Sequence, residues 1–107
     1  MASRFGLHAI LCEIVNIKEP DGSMHVYYQP PSSIKMKYPA IVYSRNDIEN
    51  NHANNAVYSQ QYSYEITVID KNPDSEIVDK ISKLPLCRFN RHYVADNLNH
   101  DVFTIYY

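Results

Sequence analysis

The chain has 107 residues, 45% of them hydrophobic, a formal net charge of −2 and no tryptophan. That length supports one domain with a modest core, and that composition excludes a disordered chain and a membrane-embedded one. The slightly acidic balance excludes a nucleic-acid grip built on phosphate neutralisation, which needs a basic footprint.

The opening Met1-Ala2-Ser3-Arg4-Phe5-Gly6 leads into an amphipathic segment and not an apolar one, so no signal peptide is expected. Leu7, Ile10, Leu11, Ile14 and Val15 recur at helical spacing and predict a helix from about Ser3 to Asn16, with Ser3 as a cap. Its apolar stripe calls for a sheet face to pack on. Glu19 to Ser23 is a turn cluster, and Met24 to Tyr28 reads as a first strand. Gln29 to Ser33 breaks it with a double proline that favours an extended connection. Ile34 to Lys37 is ambiguous between an edge strand and an extended lead-in. Ala40 to Ser44 is a short apolar run typical of a buried strand.

The segment Arg45 to Gln61 differs in kind. Asn46, Asn50, Asn51, Asn54 and Asn55 crowd it, together with Asp47, Glu49 and His52. Asparagine side chains compete with regular structure for backbone hydrogen bonds, so a long loop is expected here, at most with a short helical turn. Loops of that length in a compact domain are usually functional or disordered, and a surface arm that contacts a neighbour is the reading adopted. Its candidate contact residues are Arg45, Asn46, Asp47, Glu49, Asn50, Asn51, His52, Asn54, Asn55 and Tyr58.

Tyr62, Tyr64, Ile66 and Val68 then alternate with Ser63, Glu65, Thr67 and Ile69, the period-2 pattern of a half-buried strand. The period changes at Ile77, Val78, Ile81 and Leu84, which share one face of a helix. Asn72 is the expected N-cap, Pro73 the first helical residue, and Asp74 and Glu76 the negative charge that suits the start of a helix. Pro85 stops the helix. Leu86 to Val94 reads as a strand with Cys87, Phe89, Arg91 and Tyr93 on one face and Leu86, Arg88, Asn90 and His92 on the other. Ala95 to Asp101 is turn-rich, and Val102 to Tyr107 is a strong strand expected to pair antiparallel with the one before it. The expected fold is α+β: one domain over 1–107, with a mostly antiparallel sheet of about four to five strands and two helices packed on one face.

Ten tyrosines exceed what so small a core needs and point to an interaction surface. Cys12 and Cys87 lie too far apart in sequence for a metal pair and read as buried free thiols of a reducing compartment. The histidines lack ligand spacing, and Gly6 and Gly22 are the only glycines, so metal motifs and phosphate-binding glycine loops are both excluded. His92, Asn97 and His100 superficially follow the order of a ββα-metal nuclease, but a strand stands where that site needs a helix. A Cys87–His92 nucleophile is opposed by the alternation, which puts the two on opposite faces. Asp74, Glu76 and Asp79 are explained by the helix start. The residues therefore describe a protein that is not an enzyme and needs no cofactor.

One resemblance remains. Tyr38-Pro39-Ala40-Ile41-Val42-Tyr43, the Asn-rich segment, Tyr62-Ser63-Tyr64-Glu65-Ile66-Thr67-Val68-Ile69-Asp70 and Asn72-Pro73-Asp74-Ser75-Glu76-Ile77 follow one another after an N-terminal helix and before a closing strand pair. Over nearly the whole chain this series resembles the small tail-terminator, or tail-completion, proteins of long-tailed bacteriophages. The resemblance implies a structural virion protein of the tail and neck, assembled in the host cytoplasm. It implies a homo-hexameric ring that caps the tail tube, ends its polymerisation and joins it to the head–tail connector. DNA would pass through the lumen without sequence-specific binding, and no membrane would be involved. The 45–61 segment would then lie at a subunit or tube interface. A neck adaptor or head-closure protein is the nearest alternative, and a small His-dependent metal nuclease using His92 and His100 a more distant one.

Overall fold

The structure is a computed structural model that describes residues 4–16, 20, 24–30, 37–53 and 56–107; at 51–53 and 56–60 it describes the backbone alone. The helical spacing near the start becomes α1 (Arg4–Val15), which buries Leu7, Leu11 and Val15. Asn16 ends it at φ 51, with its N–H donating to the Cys12 carbonyl at 2.9 Å. Asparagine enters this left-handed conformation more easily than most residues, so it serves as a helix stop. The predicted cap Ser3 and the ambiguous stretch Ile34 to Met36 lie outside the described residues.

Five strands follow: β1 (Val26–Tyr28), β2 (Ala40–Ala53), β3 (Ala56–Asp70), then α2 (Glu76–Ser82), β4 (Cys87–Ala95) and β5 (Leu98–Tyr106). They form a single sheet in the order β1-β2-β3-β5-β4. Only the β1–β2 pair is parallel; β2–β3, β3–β5 and β4–β5 are antiparallel. The α+β class is as expected. The last strand is central and not marginal, because β5 inserts between β3 and β4. β3 and β4 consequently run in the same direction, and α2 makes the crossover that such a connection requires.

The register assigns the faces. Tyr64, Ile66 and Val68 of β3 stand opposite Ile105, Phe103 and Asp101 of β5, and Ile41 and Tyr43 of β2 stand opposite Val68 and Ile66. These positions, with Val26, form one core with Leu7, Leu11 and Val15 of α1 and Ile77 and Ile81 of α2. Both helices thus cover the same face, and the period-2 pattern of Tyr62 to Val68 is the strand half of that core. Gly6 admits the Tyr107 ring against α1, since a Cβ there would come within 2.7 Å of the Tyr107 hydroxyl. The core takes more tyrosine than expected. Tyr43 and Tyr64 are buried, Tyr28, Tyr62 and Tyr107 pack on the cluster, and only Tyr38 and Tyr93 are exposed among the tyrosines whose side chains are described.

Four local expectations are corrected. The predicted loop Arg45 to Gln61 is instead the outer half of a β2–β3 hairpin, with Glu49 opposite Gln61 and Ala53 opposite Ala56. Ladder hydrogen bonds come from the backbone, so a strand pair forms even where both faces are polar and no alternation marks it. The N-cap of α2 is Ser75, not Asn72: Ser75 is extended at φ −60 and ψ 130, and its Oγ accepts from the Ile77 N–H at 3.3 Å. Asn72 acts one turn earlier. Its Oδ1 accepts from the Asp74 N–H at 3.0 Å, while its own N–H donates to Asp70 Oδ1 at 3.0 Å. These side-chain turns use up Asn72 and Pro73 before the helix begins.

The strand parity of β4 also changes. A bulge between Phe89 and Arg91 moves Arg88 and Arg91 onto the same face, opposite Thr104 and Val102, and moves His92 onto the face of Cys87 and Phe89. Asn90, the extra residue, donates from Nδ2 to Thr104 Oγ1 at 2.6 Å on the arginine side. Finally, the turn-rich stretch Ala95 to Asp101 shrinks to Asp96 and Asn97, at φ 53 and 61, between the paired residues Ala95 and Leu98. Two consecutive left-handed residues are what a two-residue hairpin turn demands.

The cap assignment is testable. Ser75→Ala is expected to lower the unfolding free energy by about 1 kcal/mol, and Asn72→Ala by less, in urea unfolding. Equal losses for the two would place the helix start wrongly.

Candidate functional site

The β2–β3 hairpin leaves the body of the sheet at Arg45. Arg45 still faces Tyr64, but the register then slips by one residue and Asp47 faces Ser63. The slip sits at Asn46, whose Nδ2 donates to the buried Ser63 Oγ at 3.4 Å. The Arg45 guanidinium lies 5.8 Å from the centre of the Tyr62 ring, and the Arg45 backbone N–H donates to Gln29 Oε1 at 3.1 Å. These contacts fix the root of an arm. Beyond it, Asp47, Ile48, Glu49 and Asn50 are all exposed. Alternation sends Asp47 and Glu49 to one face and Ile48 and Asn50 to the other. From Arg45 to Ala53 the arm extends roughly 30 Å. The molecule measures 51 × 30 × 27 Å, with a radius of gyration of 15.1 Å. A chain of this size packed as a compact globule has about 13 Å.

Of the ten candidate contact residues, Arg45, Asn46, Asp47, Glu49 and Asn50 are thus brought together on this ribbon. Asn51, His52 and Tyr58 lie on its outer backbone, and Asn54 and Asn55 fall outside the described residues. The segment is an ordered two-stranded ribbon in place of a loop. A two-stranded ribbon without a core of its own is marginal in water, so a surface that covers it would stabilise it.

At the other end of the sheet, β4 is the terminal strand, and Arg88 to Val94 are exposed along it. Leu86, Phe89 and Val94 are exposed apolar residues at this end, and Phe89 meets the buried Phe103 ring edge-on at 5.4 Å between centroids. Nothing in the sequence marks this strip, because the bulge that sorts its side chains leaves no compositional trace. The sheet face away from the helices carries the half-buried Glu65, Thr67, Thr104 and Tyr106 around the buried Ser63, Ile69 and Val102. An apolar cleft of about 240 Å³ lies between the start of α1 and the 84–86 turn, lined by Leu7, Ile10, Leu84, Pro85, Leu86 and Tyr107 among others.

Among the described residues the titratable groups form no reactive centre. His92 faces Asp101, whereas His100 faces Tyr93 on the opposite side of the sheet and stacks on its ring at 4.6 Å. The two histidines weighed for a nuclease are therefore separated by the sheet. His92 Nε2 lies 3.2 Å from Asn99 Oδ1, and the Asn99 Nδ2 donates to the Asp70 and Lys71 carbonyls at 3.3 and 3.2 Å. Burial pushes the Asp101 carboxyl above its ordinary range, against the pull of His92 and His100. Cys87 and His92 share a face, contrary to the expected alternation, but they stand opposite Ile105 and Asp101, roughly 14 Å apart along β5. Burial raises the Cys87 and Cys12 thiols, the reverse of what activates a nucleophile. Both cysteines are free and half-buried. Among the described residues no three His, Cys, Asp or Glu side chains gather as a metal site would need.

One polar cluster lies under α1. Arg4 and His8, one helical turn apart, both reach the hydroxyl of the buried Tyr43: Arg4 Nη1 donates to it at 3.2 Å, and His8 Nδ1 hydrogen-bonds it at 2.7 Å. The Arg4 guanidinium also lies 4.2 Å from the Tyr28 ring centre and 4.4 Å from that of Phe5. The cluster satisfies a phenol inside the core and pins the helix to β2. Burial, then the Arg4 charge, lowers the pKa of His8 from 6.5. The folded protein therefore prefers neutral His8. Its contribution to stability is fully present above the unfolded value of 6.5 and is lost as pH falls through the depressed folded value. Urea midpoints are expected to fall between about pH 7 and 5 in the wild type, and less steeply in His8→Gln.

Comparison with protein-family models and with curated proteins returns no match. No helix among the described residues is long and apolar enough to cross a membrane.

Proposed function

We propose that this chain is a structural assembly protein that forms a ring with copies of itself, of the kind that terminates the tails of long-tailed bacteriophages. The observation that carries the reading is the ribbon of residues 45–61, which projects from the sheet with Arg45 to Asn50 all exposed. Among the ribbon residues whose side chains are described, Arg45 to Asn50 and Gln61, none belongs to the hydrophobic cluster. A projecting strand pair whose described side chains stay out of the core is an element suited to a neighbour. The sequence series from Tyr38 to Tyr43 and from Tyr62 to Ile77 supports the tail-terminator class. In that class the ring is a hexamer that caps the tail tube, stops its growth and meets the head–tail connector, with DNA passing through the lumen. The small net charge of −2 suits a lumen that must not hold DNA. The nuclease alternative has no support from geometry that puts His92 and His100 on opposite faces.

Sedimentation velocity tests the assembly. A species near six times the protomer mass of 12.5 kDa, growing with concentration, is expected. Electron micrographs of particles assembled without the chain separate the two neighbouring roles. Over-long tails mark a terminator; tails of normal length without heads mark a neck adaptor or head-closure protein.

A further inference from the structure

Besides the outer edge of β1 and the stretch of β3 before Ser63, two strand edges that no described strand covers carry opposite charges. One is the outer edge of β4. The other is β2 beyond its root, because β1 pairs only with Ile41, Val42 and Tyr43, and Arg45 is occupied by Gln29. An uncovered edge is a row of backbone donors and acceptors that accepts another strand. We propose that these two edges are the halves of one interface: the β2 edge of one copy, at Asp47 to Glu49, adds to the β4 edge of the next copy, at Arg88 to Arg91. The proposal rests on the self-assembly reading above and names the surfaces that carry it.

Charge and spacing select this pairing. Asp47 and Glu49 are exposed on one side of the arm. Arg88 and Arg91 are exposed on the same side of the sheet, since Asp47 shares a face with Ser63, and Ser63 with Tyr106, Thr104 and Val102. In a sheet continued across two copies, both pairs therefore emerge on one face. The bulge matters here. The arginines lie three positions apart in sequence, yet they occupy consecutive same-face positions, the spacing of Asp47 and Glu49. The carboxylates share a face with the guanidiniums when the two strands run antiparallel, and Ile48 then falls beside Phe89 on the opposite face. Both are partly exposed apolar residues, at 36% and 53%. The Ile48 N–H donates to Asp47 Oδ1 at 2.8 Å, a local bond that strand pairing replaces, leaving the carboxylate for an arginine.

Either of these two edges set against a copy of itself carries like charges. Two β4 edges together set arginine against arginine, and two arms set carboxylate against carboxylate, both destabilising in directly opposed strands. Edge arginines and a bulge normally discourage strand addition. Here they discourage it only toward a copy of the same edge. A contact that joins two different surfaces of one chain is head-to-tail, the arrangement that closes into a ring when its rotation permits.

The test reverses each half. Asp47→Lys with Glu49→Lys makes both edges basic, and Arg88→Glu with Arg91→Glu makes both acidic. Each variant alone is expected to lose the oligomer in sedimentation velocity, with an unchanged circular dichroism spectrum. An equimolar mixture is expected to restore it, because the arm of each variant then matches the β4 edge of the other. A wild type that stays monomeric overturns the assembly reading and this interface with it. A wild-type oligomer that neither reversal disturbs, or that mixing does not restore, overturns this interface alone. If a reversed chain does not fold, Asp47→Asn with Glu49→Gln and Arg88→Gln with Arg91→Gln replace it, and association as strong as that of the wild type overturns the proposal.

Discussion

Phe103→Ala is expected to cost about 3–5 kcal/mol of folding free energy, the range for truncating a fully enclosed aromatic residue. Phe103 is wholly buried in β5, flanked by Ile66 of β3 and Phe89 of β4. It lies on the helix-covered face and belongs to the single core cluster, so its loss opens a cavity that two sheet neighbours and a helix layer must all collapse to fill. A domain of this size has about 5–15 kcal/mol in total, so one substitution removes a large part of it. At about 4–8 °C per kcal/mol the melting temperature falls by well over ten degrees. Phe89→Ala is the matched control. Its ring touches Phe103 edge-on but is 53% exposed, so the loss is the pair term and part of the burial, about 1–2 kcal/mol. Calorimetry at low protein concentration measures both. Equal losses would mean that the β4 edge is covered in the isolated chain.

Phe103 also shows why much of the fold is legible in the sequence. Leu7, Leu11 and Val15, and Ile77 and Ile81, keep helical spacing because each helix buries one stripe. Tyr64, Ile66 and Val68 keep period 2 because the two helices cover only the sheet face they stand on. A one-sided core writes its geometry into the order of apolar residues. The features that stay hidden have no such stripe to write. Asp47 to Asn50 bury nothing, so their polar residues look like a loop although backbone pairing makes them a strand. The Asn90 bulge is a matter of one unpaired residue, and it inverts the faces of everything from Arg91 to Val94. Asn72 and Ser75 are both good caps by type, and only the turn geometry chooses between them. The candidate contact residues are therefore legible as a segment and as a chemical type. Their shape, and the arginine edge that complements them, depend on register, which a sequence of mixed polar residues does not specify.

Excising residues 49–61 is expected to abolish assembly and leave a folded protomer. Ile48 and Tyr62 stand opposite each other, so an Asn-Gly turn can join them as a two-residue hairpin. The shortened chain keeps Ile41, Tyr43, Tyr64, Ile66 and Val68, and with them every β2 and β3 member of the core cluster. It also keeps Tyr62, whose carbonyl accepts from the Tyr107 N–H at 3.1 Å. The described side chains that disappear, Glu49, Asn50 and Gln61, are exposed and lie outside that cluster, so thermal stability is expected to change far less than in Phe103→Ala. The radius of gyration falls from 15.1 Å toward the roughly 13 Å of a compact domain, which small-angle scattering reads directly. A shortened chain that unfolds would show that the ribbon supports its own sheet. One that still assembles would move the interface off the ribbon and leave the sheet's open face or the α1 cleft as the contact. The result that fits an arm built for a neighbour is the third: a stable, compact protomer that stays single at every concentration.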